Sequence, residues 1–357
     1  MDNRVSDLRI AITVDPEIPV PPAHYGGIER VVDMLARGLV ERGHVVTVFA
    51  HRDSRSVGRL IAWPGRSSVS KADTVCNAGL LARHVFGGQF DLVHSFSRVA
   101  YMLPILPLSI PKLMTYQRAI TRHSVVLGHL LSRGSLHFSA ISRFMIRQVQ
   151  DIGFWHIVSN GVPLATYAFR SAVAENAPLV FLGRIEEIKG PHVAIEVARR
   201  TGLPLVIAGN IPLEHRGWFD LHIAPHVDGD LVRYIGPVDD AQKSALLGSA
   251  RAFLMPVLWE EPFGIVMAEA MACGTPVIGM RRGSVPEVIE DGVTGFVADT
   301  VDELVAAVAR VGAIDRWAVR DRATRFYSDK AVVEGYIEVY EAMMAGQRTD
   351  ATDRARA

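Results

Sequence analysis

Short, mostly apolar runs alternate along the first half of the chain with longer segments of helical periodicity. The run Leu8–Val14 has the composition of a strand buried on both faces, and Ile28–Arg42 follows it with apolar residues every three to four positions. Gly43 ends this helix and His44–Ala50 is the next strand. This alternation predicts a doubly wound α/β domain with a parallel sheet. Further strands are predicted at Asp91–His94, Lys112–Thr115, Leu136–Ala140 and His156–Val158, and further helices at Lys71–Val85 and Arg143–Asp151.

The same alternation starts again after a polar stretch, Ser171–Pro178, that has the composition of a linker. We therefore predict two Rossmann-like domains, 1–170 and 171–328, and a disordered polar tail at 346–357. Strands of the second half are predicted at Leu179–Leu182, Leu205–Ala208, Val232–Ile235, Ala252–Met255 and Thr275–Ile278. Helices are predicted at Gly190–Thr201, Ala241–Gly248, Gly264–Ala272, Val301–Val311, Arg316–Phe326 and Lys330–Met344.

The composition is that of a well-packed globular protein. Of the 357 residues, 49% are hydrophobic and 21% are charged. No apolar run approaches the roughly 18 residues of a membrane span, and no signal-peptide core follows Met1. The two cysteines, Cys76 and Cys273, lie far apart in sequence and indicate neither a disulfide framework nor a metal site. We therefore expect a cytoplasmic protein.

A net charge of zero conceals a difference between the two halves. Residues 1–170 hold 19 Lys and Arg against 11 Asp and Glu, a net charge of +8, and the rest of the chain carries −8. A basic half favours an anionic partner such as phospholipid head groups, a lipid-diphosphate carrier or an acidic saccharide, and a peripheral position at the inner face of a membrane. Packing of the two halves against each other, or ordinary solvated faces, would explain the same difference. No aromatic-rich basic platform is present, so nucleic acid is not an expected partner.

Two carboxylates, Glu261 and Glu269, stand eight residues apart around a turn, Pro262–Gly264, that opens a short apolar helix. Eight residues correspond to roughly 12 Å if all are helical, which would place Glu261 at the helix start and Glu269 about two turns in. The free backbone N–H groups of a helix start favour an anion. This arrangement suits a ligand that is part phosphate and part polyhydroxyl, such as a sugar nucleotide. Taken singly, each residue could equally favour the helix dipole or face solvent.

Two further segments carry groups of the same chemistry. Arg184 and Lys189 lie between a strand end and a helix start, where two cations could hold a diphosphate. The pair Gly26-Gly27 lies between the first strand and the first helix. Without Cβ atoms, these residues would let a substrate approach the backbone closely, although a tight turn alone would also need glycines. The spacing is not G-x-G-x-x-G, which argues against NAD.

The segment from Glu261 to Val277 resembles the signature of the retaining glycosyltransferases of family 4, the "group 1" family with the GT-B fold. That signature reads E-P-F-G-x-x-x-x-E-A-M-A-x-G-x-P-V, and every fixed position is matched. The stretch from Gly183 to Gly190 resembles the family's G-R-x-x-x-x-K-G element. The resemblance implies two Rossmann-like domains that face a central cleft, with a C-terminal helix at about 329–345 that crosses back to the first domain. It also implies transfer with retention of anomeric configuration.

The resemblance assigns roles to individual residues. It implies that Glu261 binds sugar hydroxyls, Glu269 the ribose, and Arg184 with Lys189 the diphosphate. His94, at the end of a strand, is a further candidate for catalysis, although a lone histidine commonly serves packing or hydrogen bonding. The predicted catalytic residues are therefore Glu261, Arg184, Lys189 and His94. The predicted donor-binding residues are Gly26, Gly27, Gly236, Pro237, Phe263, Gly264, Ile265 and Glu269.

The chain departs from the family pattern on the acceptor side. The family often has T-x-H after the strand that ends near Thr115, and this chain reads Thr115-Tyr116-Gln117. A glutamine amide cannot act as a base at neutral pH, so Gln117 could only form hydrogen bonds. Tyr25, Gln117 and Arg118 are the acceptor-side candidates, and His123 is an alternative.

These patterns predict an enzyme that moves a sugar from a nucleoside-diphosphate sugar to an acceptor hydroxyl in glycan, glycolipid or polysaccharide biosynthesis. The sugar nucleotide is a co-substrate, and we expect neither a cofactor nor a metal ion, because no Asp-rich metal motif occurs. The acceptor would be a saccharide, a lipid-linked sugar or a small molecule. One alternative is a phosphorylase or epimerase on the same framework. Another is a non-catalytic sugar-nucleotide-binding protein whose acceptor site is degraded at Gln117.

Overall fold

The computed structural model describes residues 7–22 and 26–346, which form two compact units. The first unit comprises the chain up to Asn160 together with the segment from Val332 onward, and the second runs from Gly161 to Ala331. The boundary between the two units lies ten residues before the end of the first domain that the sequence predicts. Tyr25 and the residues from Gln347 onward, which include most of the tail expected to be disordered, lie outside the described residues.

Within the described residues of the first unit, seven parallel strands form one sheet in the order β3-β2-β1-β4-β5-β6-β7. The strands are β1 Arg9–Thr13, β2 Val45–Ala50, β3 Arg59–Ala62, β4 Leu92–Ser95, β5 Lys112–Tyr116, β6 Leu136–Ala140 and β7 Trp155–Ile157. The helices that connect them are α1 Gly27–Glu41, α2 Lys71–Phe86, α3 Val99–Met102, α4 Arg122–Ser132 and α5 Arg143–Ile146. The strand order reverses direction between β1 and β4, and a ligand site is expected beyond the carboxyl ends of strands at such a reversal.

The second unit repeats this plan. Its described residues form a six-stranded parallel sheet in the order β10-β9-β8-β11-β12-β13. The strands are β8 Leu179–Leu182, β9 Leu205–Ala208, β10 Val232–Tyr234, β11 Ala252–Met255, β12 Val277–Met280 and β13 Gly295–Ala298. The helices are α6 Pro191–Thr201, α7 Arg216–His222, α8 Asp240–Ser249, α9 Ile265–Ala272, α10 Val285–Val288, α11 Val301–Arg310 and α12 Arg316–Phe326. The prediction of two doubly wound α/β units is confirmed.

The last helix, α13 (Asp329–Met344), returns the chain to the first unit. Its apolar side chains, including Tyr336 and Tyr340, are buried in the core cluster that β1 and α1 also form. Gly38 on α1 allows this close approach, because a Cβ at that position would overlap the side chain of Val333. Across the part of the chain that the structure describes, no helix combines the length and the apolar composition needed to cross a bilayer.

Two predicted elements have bounds that differ from the structure by two residues or more. The helix predicted at Arg143–Asp151 ends at Ile146, and turns follow it. The strand predicted at Thr275–Ile278 instead covers Val277–Met280, because Thr275 still caps the preceding helices: its N–H donates to Ala270 O (2.9 Å) and its hydroxyl to Leu247 O (2.6 Å).

Candidate active site

Glu261 and Glu269 flank the start of α9 in the second unit. Gly264 precedes the helix in a left-handed conformation (φ 71°), where a Cβ would lie within 2.9 Å of Met255 Cε and Met267 Cε. Helix α9 begins at the next residue, so Glu269 lies just over one turn in, not the two turns expected. Both carboxylates are more than nine-tenths buried. Burial of two charged groups is unfavourable unless each has partners.

Glu261 receives two donors on the same oxygen. Lys189 Nζ lies 2.6 Å from Glu261 Oε2, and Trp259 Nε1 donates to that atom at 3.0 Å. The Lys189 ammonium also lies 4.5 Å from the centre of the Trp259 ring, which adds a cation–π contact. The structure brings Lys189 beside Glu261, and its ammonium is paired with that carboxylate.

The loop before α10 fixes the backbone on which Glu261 stands. Ser284 N–H donates to Glu261 O (2.8 Å), and Gly283 N–H donates to the Glu260 carboxylate (2.7 Å). Gly283 has φ 58°, and a Cβ there would overlap the backbone of Glu261. The position therefore requires glycine both for its conformation and for its close contact.

Glu269 is bound in a way that parallels Glu261. Tyr167 OH donates to Glu269 Oε1 at 2.7 Å, and Lys243 Nζ donates to the same atom at 2.7 Å. The second oxygen, Oε2, is buried and accepts no hydrogen bond from the residues that the structure describes. Neither Tyr167 nor Lys243 belongs to a recognisable motif, and sequence analysis missed both.

Arg184 follows β8 and forms an ion pair with Glu186 (2.8 Å). Glu186 is buried and also lies 3.4 Å from His215 Nε2. The Arg184 side chain stays about 43% exposed, so it can contact a ligand while it remains paired with Glu186. The two cations predicted to hold a diphosphate are thus both paired with buried carboxylates.

The remaining donor-side candidates are placed by backbone geometry and packing. Gly236 (φ 76°) accepts a hydrogen bond from Gly209 N–H (2.8 Å), and Pro237 is exposed beside it. The Phe263 side chain is buried against Tyr327, with ring centres 5.6 Å apart, so it contributes to the core. Ile265 is the half-buried first residue of α9.

In the first unit, the glycine pair lies at the start of α1. A Cβ on Gly26 would lie 2.7 Å from Pro22 Cβ and 2.9 Å from Glu29 Oε2, whereas a Cβ on Gly27 would meet no atom within 4 Å. Protein packing therefore explains Gly26, and open space adjoins Gly27.

A group that the sequence did not reveal lies beyond the end of β1. Asp15 is half-buried, and its Oδ1 atom accepts no hydrogen bond from residues 7–22 or 26–346. Burial together with nearby Glu17 raises its pKa to about 6. The charges of Arg118 and Arg98 oppose this rise. Asp15 and Arg98 follow β1 and β4, the two strands between which the sheet order reverses. The signal in the sequence is a carboxylate directly after a buried strand.

His94 lies inside the core of the first unit. It has no exposed surface, its Nδ1 lies 2.6 Å from Tyr340 OH, and its Nε2 lies 2.7 Å from Thr115 Oγ1. Burial lowers its pKa to about 3, so the ring is neutral. These contacts favour the hydrogen-bonding and packing role over a catalytic one.

Gln117 forms a reciprocal amide pair with Asn160. Gln117 Nε2 donates to Asn160 Oδ1 (2.8 Å), and Asn160 Nδ2 donates to Gln117 Oε1 (2.7 Å). Neighbouring Arg118 is exposed. Where the family often has a histidine, this chain therefore has a fixed hydrogen-bonded amide beside an exposed guanidinium.

Two family models match complementary parts of the chain. The model described as "Glycosyltransferase Family 4" matches residues 25–166, and the model described as "Glycosyl transferases group 1" matches residues 168–322. The chain belongs to family 4 of the glycosyltransferases. Both the predicted family and the predicted GT-B fold class are confirmed.

Known proteins similar to this glycosyltransferase include a phosphatidyl-myo-inositol mannosyltransferase from Mycobacterium tuberculosis, which is 25% identical over 89% of this chain and 93% of its own length. Among solved structures, AviGT4, a glycosyltransferase involved in avilamycin A biosynthesis, has a TM-score of 0.72 and 25% identity, with 95% of this chain and 98% of that chain covered. Anabaena HepE in complex with UDP-glucose has a TM-score of 0.70 and 16% identity, with 94% and 100% covered. The last likeness concerns the fold alone.

Proposed function

We propose that this glycosyltransferase moves a sugar from a nucleoside-diphosphate sugar to an acceptor hydroxyl with retention of anomeric configuration. One observation carries the proposal: two buried carboxylates, Glu261 and Glu269, flank one helix start, each fixed through a single oxygen by a lysine and an aromatic side chain. In both, the other oxygen receives no donor from the described residues. Such oxygens suit the hydroxyl-rich parts of a sugar nucleotide.

The charges of the site suit the leaving group. In the proposal, Glu261 accepts hydrogen bonds from the transferred sugar, Glu269 binds the ribose, and Arg184 with Lys189 contacts the diphosphate. Negative charge develops on the diphosphate as its bond to the sugar breaks, and preorganised cations stabilise that charge. Because protein cations supply this stabilisation, the proposal needs neither a metal ion nor a cofactor.

We propose that the reaction takes place on one face of the sugar. The bond between the anomeric carbon and the phosphate oxygen breaks, and the acceptor oxygen bonds to the same face of that carbon. The acceptor proton passes to the leaving phosphate oxygen, so no enzyme base is needed. This scheme is compatible with a glutamine at position 117 and with a buried, neutral His94.

We propose a saccharide or lipid-linked acceptor that contacts the first unit. Residues 117–150 contain five arginines and no acidic residue, and the relative from M. tuberculosis is named for a lipid acceptor. Such a basic surface favours anionic lipid head groups or a lipid diphosphate and a peripheral position at the inner face of a membrane. The five residues are Arg118, Arg122, Arg133, Arg143 and Arg147.

The alternative proposal is a non-catalytic sugar-nucleotide-binding protein. It rests on Gln117, whose amide is bound to Asn160 where the family often has a histidine. The two proposals differ in whether a bound donor is consumed.

The first test is a thermal-shift screen against a panel of nucleotide sugars, followed by donor hydrolysis and transfer assays. With the donor that stabilises the protein most, Glu261→Gln and Arg184→Gln should each lower the turnover rate about 100-fold, the usual cost of removing one preorganised electrostatic contact. Glu214→Gln and Arg199→Gln, on exposed parts of the second unit, are the matched controls and should retain full activity. Addition of EDTA should leave the rate unchanged.

Each contrary result has a definite meaning. If no nucleotide sugar stabilises the protein, the donor assignment is wrong. If a donor binds but is not consumed with any acceptor, the non-catalytic alternative is correct. If EDTA abolishes transfer and Mg²⁺ restores it, the metal-independent scheme is wrong.

A further inference from the structure

Glu269 belongs to a buried cluster that three separate chain segments build. The carboxylate is on α9, Lys243 is on α8, and Tyr167 follows a short 3₁₀ turn near the start of the second unit. The Tyr167 segment is tied to α8, because Ala168 N–H donates to Ser244 Oγ (3.0 Å). Arg320 Nη1 donates to Tyr167 O (3.1 Å) and holds the same segment from the other side.

The two donors of this cluster act on the same carboxylate atom. Tyr167 OH and Lys243 Nζ each lie 2.7 Å from Glu269 Oε1. Lys243 Nζ also lies 3.3 Å from Asp240, so it is held between two carboxylates. Two hydrogen bonds to one oxygen fix the rotation of the carboxylate and the direction in which Oε2 points.

Within the described part of the chain, Glu269 Oε2 is a buried acceptor without a donor. The residue is only 6% exposed, and a buried unsatisfied polar atom is costly. The observed arrangement leaves one oxygen for a donor that the described residues do not supply.

Glu261 shows a related pattern with different residues, except that its second oxygen is not fully buried. Lys189 and Trp259 both donate to its Oε2, and its Oε1 accepts no hydrogen bond from the described residues. A buried ion pair is weak support for a purely stabilising role, since apolar side chains of similar volume often stabilise as well. Two carboxylates with one occupied and one unoccupied oxygen instead indicate a common purpose, the binding of ligand hydroxyls.

We propose that Tyr167 and Lys243 are positioning residues that hold Glu269 so that its Oε2 accepts a hydrogen bond from a ribose hydroxyl of the donor. This proposal rests on the proposed function, which assigns the ribose to Glu269. It adds two residues that hold the Glu269 carboxylate in one orientation. Loss of either residue should therefore reduce the preference of the protein for ribose over deoxyribose, in addition to any general loss of affinity.

The test measures that distinction by titration calorimetry. UDP, GDP and ADP are first titrated into the unaltered protein, and the tightest ligand is then compared with its 2′-deoxy and 3′-deoxy analogues. The unaltered protein should bind the ribonucleotide about 10- to 100-fold more tightly than at least one analogue, the usual effect of one hydrogen bond to a charged group. Tyr167→Phe and Lys243→Met should each reduce this ratio at least about threefold, and Glu269→Gln should reduce it most.

Two matched variants serve as controls. Tyr327→Phe removes another buried tyrosine hydroxyl of the same unit, and Lys330→Met removes an exposed lysine. Both should leave the ribose-to-deoxyribose ratio unchanged. If Tyr167 or Lys243 has a purely structural role, its loss would weaken binding of the ribonucleotide and of the deoxy analogue equally, and the ratio of the two affinities would not change.

The possible results separate the two proposals. If a ribonucleotide binds but the unaltered protein shows no preference for it, or if both positioning variants keep the full ratio, the positioning proposal is overturned and the proposed function stands. If none of the three diphosphates binds the unaltered protein, the proposed function fails and the positioning proposal fails with it.

Discussion

His94 lies in the strand where the sequence predicts it, but its contacts favour packing and hydrogen bonding over the catalytic role that was a candidate. Its position at the end of β4 suggested chemistry, but both ring nitrogens are occupied and the ring lies against Tyr336 and Tyr340 of α13. Its long-range partners are 21 and 246 residues away in sequence. No local pattern could have revealed that Tyr340 occupies Nδ1.

Burial of neutral His94 should make the stability of the first unit depend on pH. Its pKa is lowered to about 3 in the folded state, against about 6.5 when unfolded, so below pH 6.5 the unfolded chain binds a proton that the folded chain does not. The contribution is fully present above pH 6.5 and is lost as the pH falls toward 3. His94→Gln should therefore lose about 1 kcal/mol less stability than the unaltered protein between pH 7 and pH 5.5.

Urea unfolding at the two pH values measures this difference. His123→Gln, which changes an exposed histidine of the same unit, is the control and should show the pH dependence of the unaltered protein. An identical loss of stability in the His94 variant would show that folding does not lower the pKa of this histidine.

The candidate ligand-binding residues of the second unit show the same limit, because local sequence patterns do not reveal long-range partners. Glu261, Glu269, Arg184 and Lys189 could be identified because they lie in local motifs with fixed spacing. Their partners were missed because pairing depends on how distant segments fold together, as with Lys243, which is 26 residues from Glu269 and bonds to it. Motifs identify the atoms that contact a ligand more readily than the side chains that orient those atoms.

At the level of elements, a compact apolar run was the most reliable signal, although strands β3 and β13 were not predicted. Leu136–Ala140, Leu179–Leu182, Leu205–Ala208 and Ala252–Met255 were predicted with the observed bounds, since a strand buried on both faces has a compact apolar signature. Helix α4 was not predicted. Its apolar residues point in more than one direction, so the usual single-face periodicity is weak.

The exposed side of α4 gives the element a testable role. Leu127, Leu130 and Leu131 are all exposed, Leu130 by 70%, and the segment around them is basic and contains no acidic residue. An apolar surface bordered by arginines fits an anionic bilayer surface. We expect the protein to sediment with vesicles that contain phosphatidylglycerol, and Leu130→Glu to reduce this binding at least about tenfold through lost apolar burial and added charge repulsion.

Leu213→Glu is the matched control, because Leu213 is 90% exposed but belongs to the acidic half of the chain. It should leave vesicle binding unchanged. Equal binding to vesicles of phosphatidylcholine alone, or an undiminished affinity of the Leu130 variant, would show that the exposed side of α4 is not a binding site for anionic membranes.

On the scale of the whole molecule, the chain forms two units with separate cores, and the first is completed only by α13. Six side chains of α13 are buried there: Val332, Val333, Tyr336, Val339, Tyr340 and Met343. Burial of six such side chains contributes on the order of 10 kcal/mol, which is comparable to the whole stability of a domain.

In a chain that ends at Ala331, the first unit should therefore unfold while the second unit stays folded. Limited proteolysis with mass spectrometry should show rapid cleavage within residues 7–160, while residues 161–331 stay resistant. A chain that ends at Gly346 keeps α13 and should behave like the full-length protein. If the shorter chain stays resistant throughout, α13 is dispensable for the first unit.

The ion pair between Lys189 and Glu261 has a consequence for the end of the catalytic cycle. If Lys189 binds the diphosphate as proposed, each diphosphate must share this ammonium with a carboxylate that lies 2.6 Å from it. Glu261 is then an internal competitor for the cation. That competition limits the affinity of the spent nucleotide, so the same pair that assists departure of the diphosphate from the sugar also promotes its release from the protein.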